Sequence, residues 1–173
     1  DIVIGGDILD LQCVTDLAYG CDAVVHCAAL PYEGLSVFSP SLIAQNITTG
    51  TINVAVAAIR AGVKRFVNCS SMARYGENLT PYFETMRPNP VDPYGIAKVA
   101  AEHHLNVLGA THGMTVVQAV PHNIYGPRQR YTDPFRNVAA IFTNQLLQDK
   151  QPTIYGDGEQ TRCFSYIDDV LPV

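Results

Sequence analysis

Apolar positions along the chain follow two alternating patterns. Ala23-Val24-Val25-His26-Cys27-Ala28-Ala29 is a nearly unbroken apolar run, as expected of a strand buried on both faces of a parallel sheet. Lys64–Cys69 and Thr115–Val120 read as further strands of the same kind. Between them, Leu42, Ile43, Ile47, Ile52, Val56 and Ile59 recur at helical spacing over 41–61, and Gly62 ends that helix. A second long helix opens at Pro93, a residue suited to the first helical position, and runs to about Gly113. Shorter helices are predicted over 9–19, before Gly20, and over about 135–149.

The remaining stretches are less regular. Asp1 to Asp7 reads as a strand running into a loop, and residues 153–155 and 163–167 as short strands around Gly156-Asp157-Gly158. Residues 73–92, broken by Pro81, Pro88 and Pro90, and His122 to Pro134 read as loops. Asp168-Asp169 is expected to cap a helix start. Strands alternating with long helices predict an α/β fold, a Rossmann-like doubly wound parallel sheet. Because the alternation fades after Pro127, residues 1–127 read as the sheet domain and 128–173 as the start of a smaller lobe.

Composition narrows the partners. With 47% hydrophobic and 16% charged residues, the 173-residue chain can bury a sizeable core. A net charge of −5 with no dense basic block argues against a nucleic-acid partner. No apolar run approaches the roughly 18 residues of a membrane helix, so no membrane partner is expected. Five cysteines without C-x-x-C spacing read as reduced, mostly buried thiols of a cytoplasmic protein, with no metal site.

Candidate chemistry centres on Tyr94-Gly95-Ile96-Ala97-Lys98. Positions i and i+4 share a helix face, so Tyr94 and Lys98 point the same way. An ammonium beside a phenol favours the phenolate and makes a proton-transfer device. Ligands of open α/β sheets bind beyond the carboxyl ends of the strands. Ser70-Ser71 leaves one such end and the helix of Tyr94 begins after its loop, so a serine hydroxyl is placed to orient what Tyr94 deprotonates.

These stretches lie in the order of a known family. G-D-I at Asp7, D-A-V-V-H-C-A-A at 22–29, Asn46 with Gly50-Thr51, C-S-S-M-A-R-Y-G at 69–76, Y-G-I-A-K, N-I-Y-G-P-R at 123–128 and Y-G-D-G-E-Q-T-R-C-F-S-Y-I-D-D-V at 155–170 cover essentially the whole chain. Together they resemble the extended short-chain dehydrogenase/reductases, the nucleotide-sugar epimerases and dehydratases. The resemblance implies Ser71, Tyr94 and Lys98 as catalytic residues. It implies NAD as cofactor, with NADP left open, held by Asp7, Ile8, Cys27, Ala28, Ala29, Asn46, Ser70, Tyr94, Lys98 and Pro121. A nucleotide sugar would meet Ser71, Met72, Asn123 and Arg162, with Arg162 on its diphosphate as guanidinium forks suit phosphate oxygens. A homodimer through the helices at 41–61 and 94–112 is implied by analogy.

Two departures from the family pattern shape the reading. The glycine-rich phosphate loop G-x-x-G-x-x-G does not occur, so the sheet is expected to lack its first βαβ portion and the chain to be truncated at both ends. Met72-Ala73 stands where the dehydratases carry an Asp-Glu pair, and neither residue can move a proton. The expectation is an NAD-dependent epimerase that inverts carbon 4 of a nucleotide sugar, of the UDP-glucose 4-epimerase type, through a 4-keto intermediate. A NAD(P)H-dependent nucleotide-sugar reductase and a truncated non-catalytic relative stay open beside it.

Overall fold

A computed structural model describes residues 2–133, 135 and 137–172. Asp1, Pro134, Arg136 and Val173, which the sequence reading places in a strand, a loop, the surface and the chain end, lie outside the described residues. The chain divides into two compact units, residues 1–120 and 121–173.

In the first unit, β1 (Ala23–His26), β2 (Arg65–Cys69) and β3 (Thr115–Ala119) form a parallel sheet in the order β1-β2-β3. Val24 stands opposite Phe66 and Phe66 opposite Val116; one residue on, Val25, Val67 and Val117 are in register. Successive side chains alternate faces, so the two rows point opposite ways. The Phe66 row is the core, where Phe66 packs with Ala55, Ala58, Val63, Leu105 and Met114. The Val67 row is open, with Val25 67% and Val117 52% exposed. The expectation that 23–29 is buried on both faces is therefore corrected. The helices described below supply a hydrophobic partner to one face only, and the strand itself stops at His26.

From Pro40 to Arg60 the chain is one continuous helix: α2 (Pro40–Ala44), a π-helical turn (Gln45–Thr49) and α3 (Gly50–Arg60). With a mean hydropathy of 1.4 over an 18-residue window, it is long and apolar enough by length and composition to cross a membrane. That corrects the expectation of no such run, and the reason is that its polar residues before Arg60 are all uncharged. Here it is a core helix. Ile43 and Ile47 pack with Tyr94, Ala97 and Ala101, while Ala55 and Ala58 pack under Phe66. Helix α1 (Leu11–Ala18), capped by Asp10 Oδ1 accepting from Cys13 N at 3.0 Å, packs against α3.

Helix α4 (Pro93–His112) matches its predicted bounds because both ends are written into the sequence. Asp92 Oδ1 accepts from Gly95 N at 2.8 Å, Pro93 takes the first position, and Gly113 closes the helix at φ 68°. The predicted strand at the N-terminus does not form. Residues 2–6 have no strand structure and Ile2, Val3 and Ile4 are exposed, since among the described residues β1 pairs only with β2.

In the second unit, β4 (Ile124–Tyr125) pairs in parallel with β5 (Ser165–Tyr166), so two residues of the predicted 122–134 loop are strand. Helix α5 (Val138–Leu147) is capped by Asn137, whose side chain accepts from Ala140 N at 3.1 Å. Residues 153–155 form no strand. Asp168 and Asp169 do not cap a helix but lie in the first turn of α6 (Ile167–Val170), where the helix dipole favours acidic groups.

His26 is a satisfied core residue of the first unit. It shares a 3.0 Å hydrogen bond with Thr51 Oγ1 and lies tilted against Phe66. Burial, with the Lys98 charge as the smaller cause, pushes its pKa down to about 4. The folded value lies below the unfolded one, so the unfolded chain takes up the proton first, and stability is lost as pH falls from about 6.5 towards 4. The loss is on the order of 3 kcal/mol at the acid end. Urea midpoints measured across this window should fall more steeply for the native chain than for His26→Gln; identical slopes would refute the assignment.

Candidate functional site

The site of the first unit is built where β1 and β2 end and α4 begins. Asp92 and Pro93 fix the start of α4, so Tyr94, Lys98 and Glu102 fall on one face at steps of four. All three are buried, at 8%, 6% and 2% exposure. Gly95 lets this helix approach the next loop closely, since a Cβ there would lie 2.8 Å from Ala73 O.

Each polar group on that face has a partner. Lys98 Nζ donates to Cys69 O, the last carbonyl of β2, at 2.7 Å, using one of the ammonium's three donors. Lys98 Nζ stands 5.9 Å from the centre of the Tyr94 ring. The Ser71 side chain lies near enough to the Tyr94 hydroxyl to favour its ionised form. Ser71 also caps a short turn, Met72–Arg74, its Oγ accepting from Ala73 N at 3.1 Å. The structure thus brings Ser71, Tyr94 and Lys98 together.

The electrostatics differ from the expectation that Lys98 lowers the tyrosine pKa. Burial is the largest influence and raises the Tyr94 pKa. The Ser71 side chain works against that rise, and the Glu33 and Asp92 charges add to it. Burial likewise lowers the Lys98 pKa. A phenol walled by Ile43, Ile47, Ala97 and Ala101 loses the hydration that would support its anion.

Behind the pair lies a network that sequence reasoning missed. Ser70 Oγ donates to Glu102 Oε1, and Arg74 Nη2 pairs with Glu102 Oε2 at 3.2 Å. Arg74 also lies 5.2 Å over the Tyr75 ring, which stacks on Tyr82 with centroids 4.9 Å apart. Glu102 therefore grips residues 70 and 74 on either side of Ser71. The signal was the spacing itself: a carboxylate four residues beyond Lys98, on a face otherwise made of Ala97, Ala101 and Leu105.

The other predicted residues fall into three groups. Ser70 turns inward to Glu102. Asn46, on the π-helical turn, accepts from Leu30 N at 2.8 Å and holds the loop after β1; Thr48 Oγ1 donates to Ala97 O at 3.2 Å. Cys27 and Ala28 are exposed beyond β1, and Ala29 is half-buried. Asp7 Oδ1 accepts from Leu9 N, and Ile8 sits against Gly50 with its carbonyl accepting from Asn53 Nδ2 at 3.1 Å. Met72, half-buried, opens the short turn. Pro121, Asn123 and Arg162 belong to the second unit. There Asn123, at φ 39°, donates to Cys163 O at 3.0 Å, and Arg162 is exposed.

The cysteines are not mostly buried as expected. Cys21, Cys27 and Cys163 are exposed and Cys13 and Cys69 half-buried; Cys13 lies on α1, Cys69 ends β2, and Cys21, Cys27 and Cys163 lie outside helices and strands.

The sequence profile of the NAD dependent epimerase/dehydratase family matches residues 2–172. The chain belongs to this family. Among curated relatives, a UDP-glucose 4-epimerase of Mycolicibacterium smegmatis is 36% identical over 97% of this chain and 54% of its own length. Among solved structures, a UDP-N-acetylglucosamine 4-epimerase from Methanobrevibacter ruminantium, in complex with UDP-N-acetylmuramic acid, superposes with a TM-score of 0.92 at 31% identity. It is matched over 98% of this chain and 55% of its own. A dTDP-glucose 4,6-dehydratase from Streptomyces venezuelae with NAD bound gives 0.88 at 28% identity, over 96% and 51%. Epimerases and dehydratases of the family thus share this fold, and the chain spans about half the length of the curated relatives it matches.

Removing one partner of the buried Arg74–Glu102 pair leaves the other charge uncompensated, so Glu102→Leu should cost about 3–5 kcal/mol. Adding Arg74→Met should recover most of that loss in chemical denaturation. A double variant no more stable than Glu102→Leu would show that the pair is not the source.

Proposed function

We propose that this chain forms the catalytic part of an NAD-dependent nucleotide-sugar 4-epimerase, acting through a transient 4-keto sugar. The observation that carries the reading is the Ser71–Tyr94–Lys98 cluster beside the Met72–Arg74 turn. The only ionisable side chain in that turn is Arg74, and it is engaged by Glu102. Elimination needs a further acid and base, as in the Asp-Glu pair that the resemblance associates with dehydratases. Epimerisation needs a proton carrier for one hydroxyl and no more.

The donor set suits the cofactor's ribose end. Lys98 keeps two ammonium donors beyond its bond to Cys69 O, a fit for vicinal hydroxyls, and Cys27 and Ala28 leave a small, open strand end beside them. When bound, NAD supplies the hydride acceptor and a positively charged ring. The chain's own residues do the rest. Ser71 orients the sugar hydroxyl, Tyr94 takes its proton and later returns it, and Lys98 fixes the ribose and offers positive charge. Burial keeps Tyr94 a phenol until these charges gather, so proton uptake and release are confined to the loaded site.

Asp7, Ile8, Ala29, Asn46, Ser70 and Pro121 complete the proposed cofactor contacts, Ser70 and Asn46 by holding their loops. Met72, Asn123 and Arg162 complete those to a UDP-sugar. The reading includes a cytoplasmic setting and a homodimer. Leu42 and Ile96, 52% and 55% exposed on α2 and α4, support helix-pair contact.

In the intact protein, Tyr94→Phe should lower interconversion of UDP-glucose and UDP-galactose by at least about 100-fold. Its circular dichroism should be unchanged and no net NADH should accumulate in the native enzyme. Wild-type turnover in Tyr94→Phe would sink the mechanism, and stoichiometric NADH consumption would favour a reductase.

A further inference from the structure

The first unit carries a second reactive cluster that the proposed reaction does not use as chemistry. Cys27 follows β1 and Cys69 ends β2, and the register His26 opposite Asn68 makes them neighbours across the sheet. Their sulfurs are 3.4 Å apart, in contact. Both continue the Val25–Val67 row of the sheet, and Val25 is 67% exposed, so among the described residues no helix is packed on that row to keep the thiols from turning towards each other. Lys98, which donates to the carbonyl of Cys69, is close enough to act electrostatically on both thiols.

We propose that Cys27 and Cys69 form a reversible two-electron redox site, closed to a disulfide by hydroperoxides and reopened by dithiols. Adjacent strands lie about 4.8 Å apart, inside the Cα range that disulfides span. The two sulfurs are unequal in access. Cys27 is exposed and meets the oxidant, whereas burial is the largest cause pushing the half-buried Cys69 thiol up to about 11, with its contact to Cys27 next.

The steps balance. The Cys27 sulfur attacks the outer oxygen of the hydroperoxide, the O–O bond breaks, an alcohol or water leaves, and Cys27 becomes a sulfenic acid. The Cys69 sulfur then attacks the Cys27 sulfur, the S–O bond breaks and the S–S bond forms. The hydroxide leaves with the Cys69 proton as water. Two electrons pass from the thiol pair to the peroxide. Closure would tie together the ends of β1 and β2, whose loops carry Ala28–Leu30 on one side and Ser70-Ser71 on the other. Transient disulfides of this kind are the sort found in reducing compartments.

The test reads thiols, not turnover, so its failure is separate from that of the proposed function. The 173-residue chain is treated with hydrogen peroxide near stoichiometry, alkylated and mapped by peptide mass. Of five free cysteines, three should remain alkylated, with a Cys27–Cys69 linked peptide two hydrogens lighter that dithiothreitol reverses. Phenylarsine oxide, which needs two adjacent thiols, should bind the native chain once. Cys27→Ser, at an exposed position and so safe for folding, should abolish both the link and the arsenical capture; Cys21→Ser and Cys163→Ser should abolish neither. The proposal is overturned if Cys27 overoxidises while Cys69 stays alkylated, if it links to another cysteine, if peroxide leaves five alkylated thiols, or if Cys27→Ser retains arsenical capture.

Discussion

A buried ammonium has to be held, and in this chain the last carbonyl of β2 holds it. The Lys98–Cys69 hydrogen bond ties the face of α4 to the end of the sheet, and the placement of the other site groups follows from it. Without that anchor a cation at 6% exposure would cost several kcal/mol in lost hydration. With it, α4 is locked in rotation, so Tyr94 one turn before must face Ser71, and Glu102 one turn after must face Ser70 and Arg74.

The same face accounts for the charge state of the site. Lys98 and Glu102 bring opposite charges into an apolar setting, and Arg74 answers the carboxylate directly. Ammonium, guanidinium and carboxylate thus form a chain behind a neutral phenol, and the His26 imidazole nearby is held neutral by burial and by the same ammonium. Tyr94 stands beside them as a phenol whose pKa is raised by its burial among Ile43, Ile47, Ala97 and Ala101, a setting in keeping with the proton-carrying role proposed for it.

What could be read from the sequence were features with local causes. Asp92, Pro93 and Gly113 dictate α4 whatever surrounds it, and the four-residue step from Tyr94 to Lys98 dictates their shared face. Glu102 obeys the same step, yet its importance depends on Ser70 and Arg74, which only folding brings near. The errors share a physical root. An apolar run tells of burial only if something covers it: Val25 pairs with Val67 yet is covered by nothing among the described residues, and the strand expected at Ile2 to Ile4 finds no partner there. The direction of the Tyr94 pKa is hidden from the sequence for a related reason: a neighbour's charge is visible there, whereas the dehydration imposed by helices α2 and α4 is not.

The open face of the sheet has a further meaning. Val25, Val67 and Val117 lie in register across β1, β2 and β3, and among the described residues the outer edges of β1 and β3 carry no paired strand. An apolar plane bordered by unanswered strand edges is adhesive in two directions, sideways through main-chain pairing and vertically through packing. Among the described residues that plane and those edges are therefore the places where a further segment or another chain can add, by main-chain pairing at the side and by apolar packing on top.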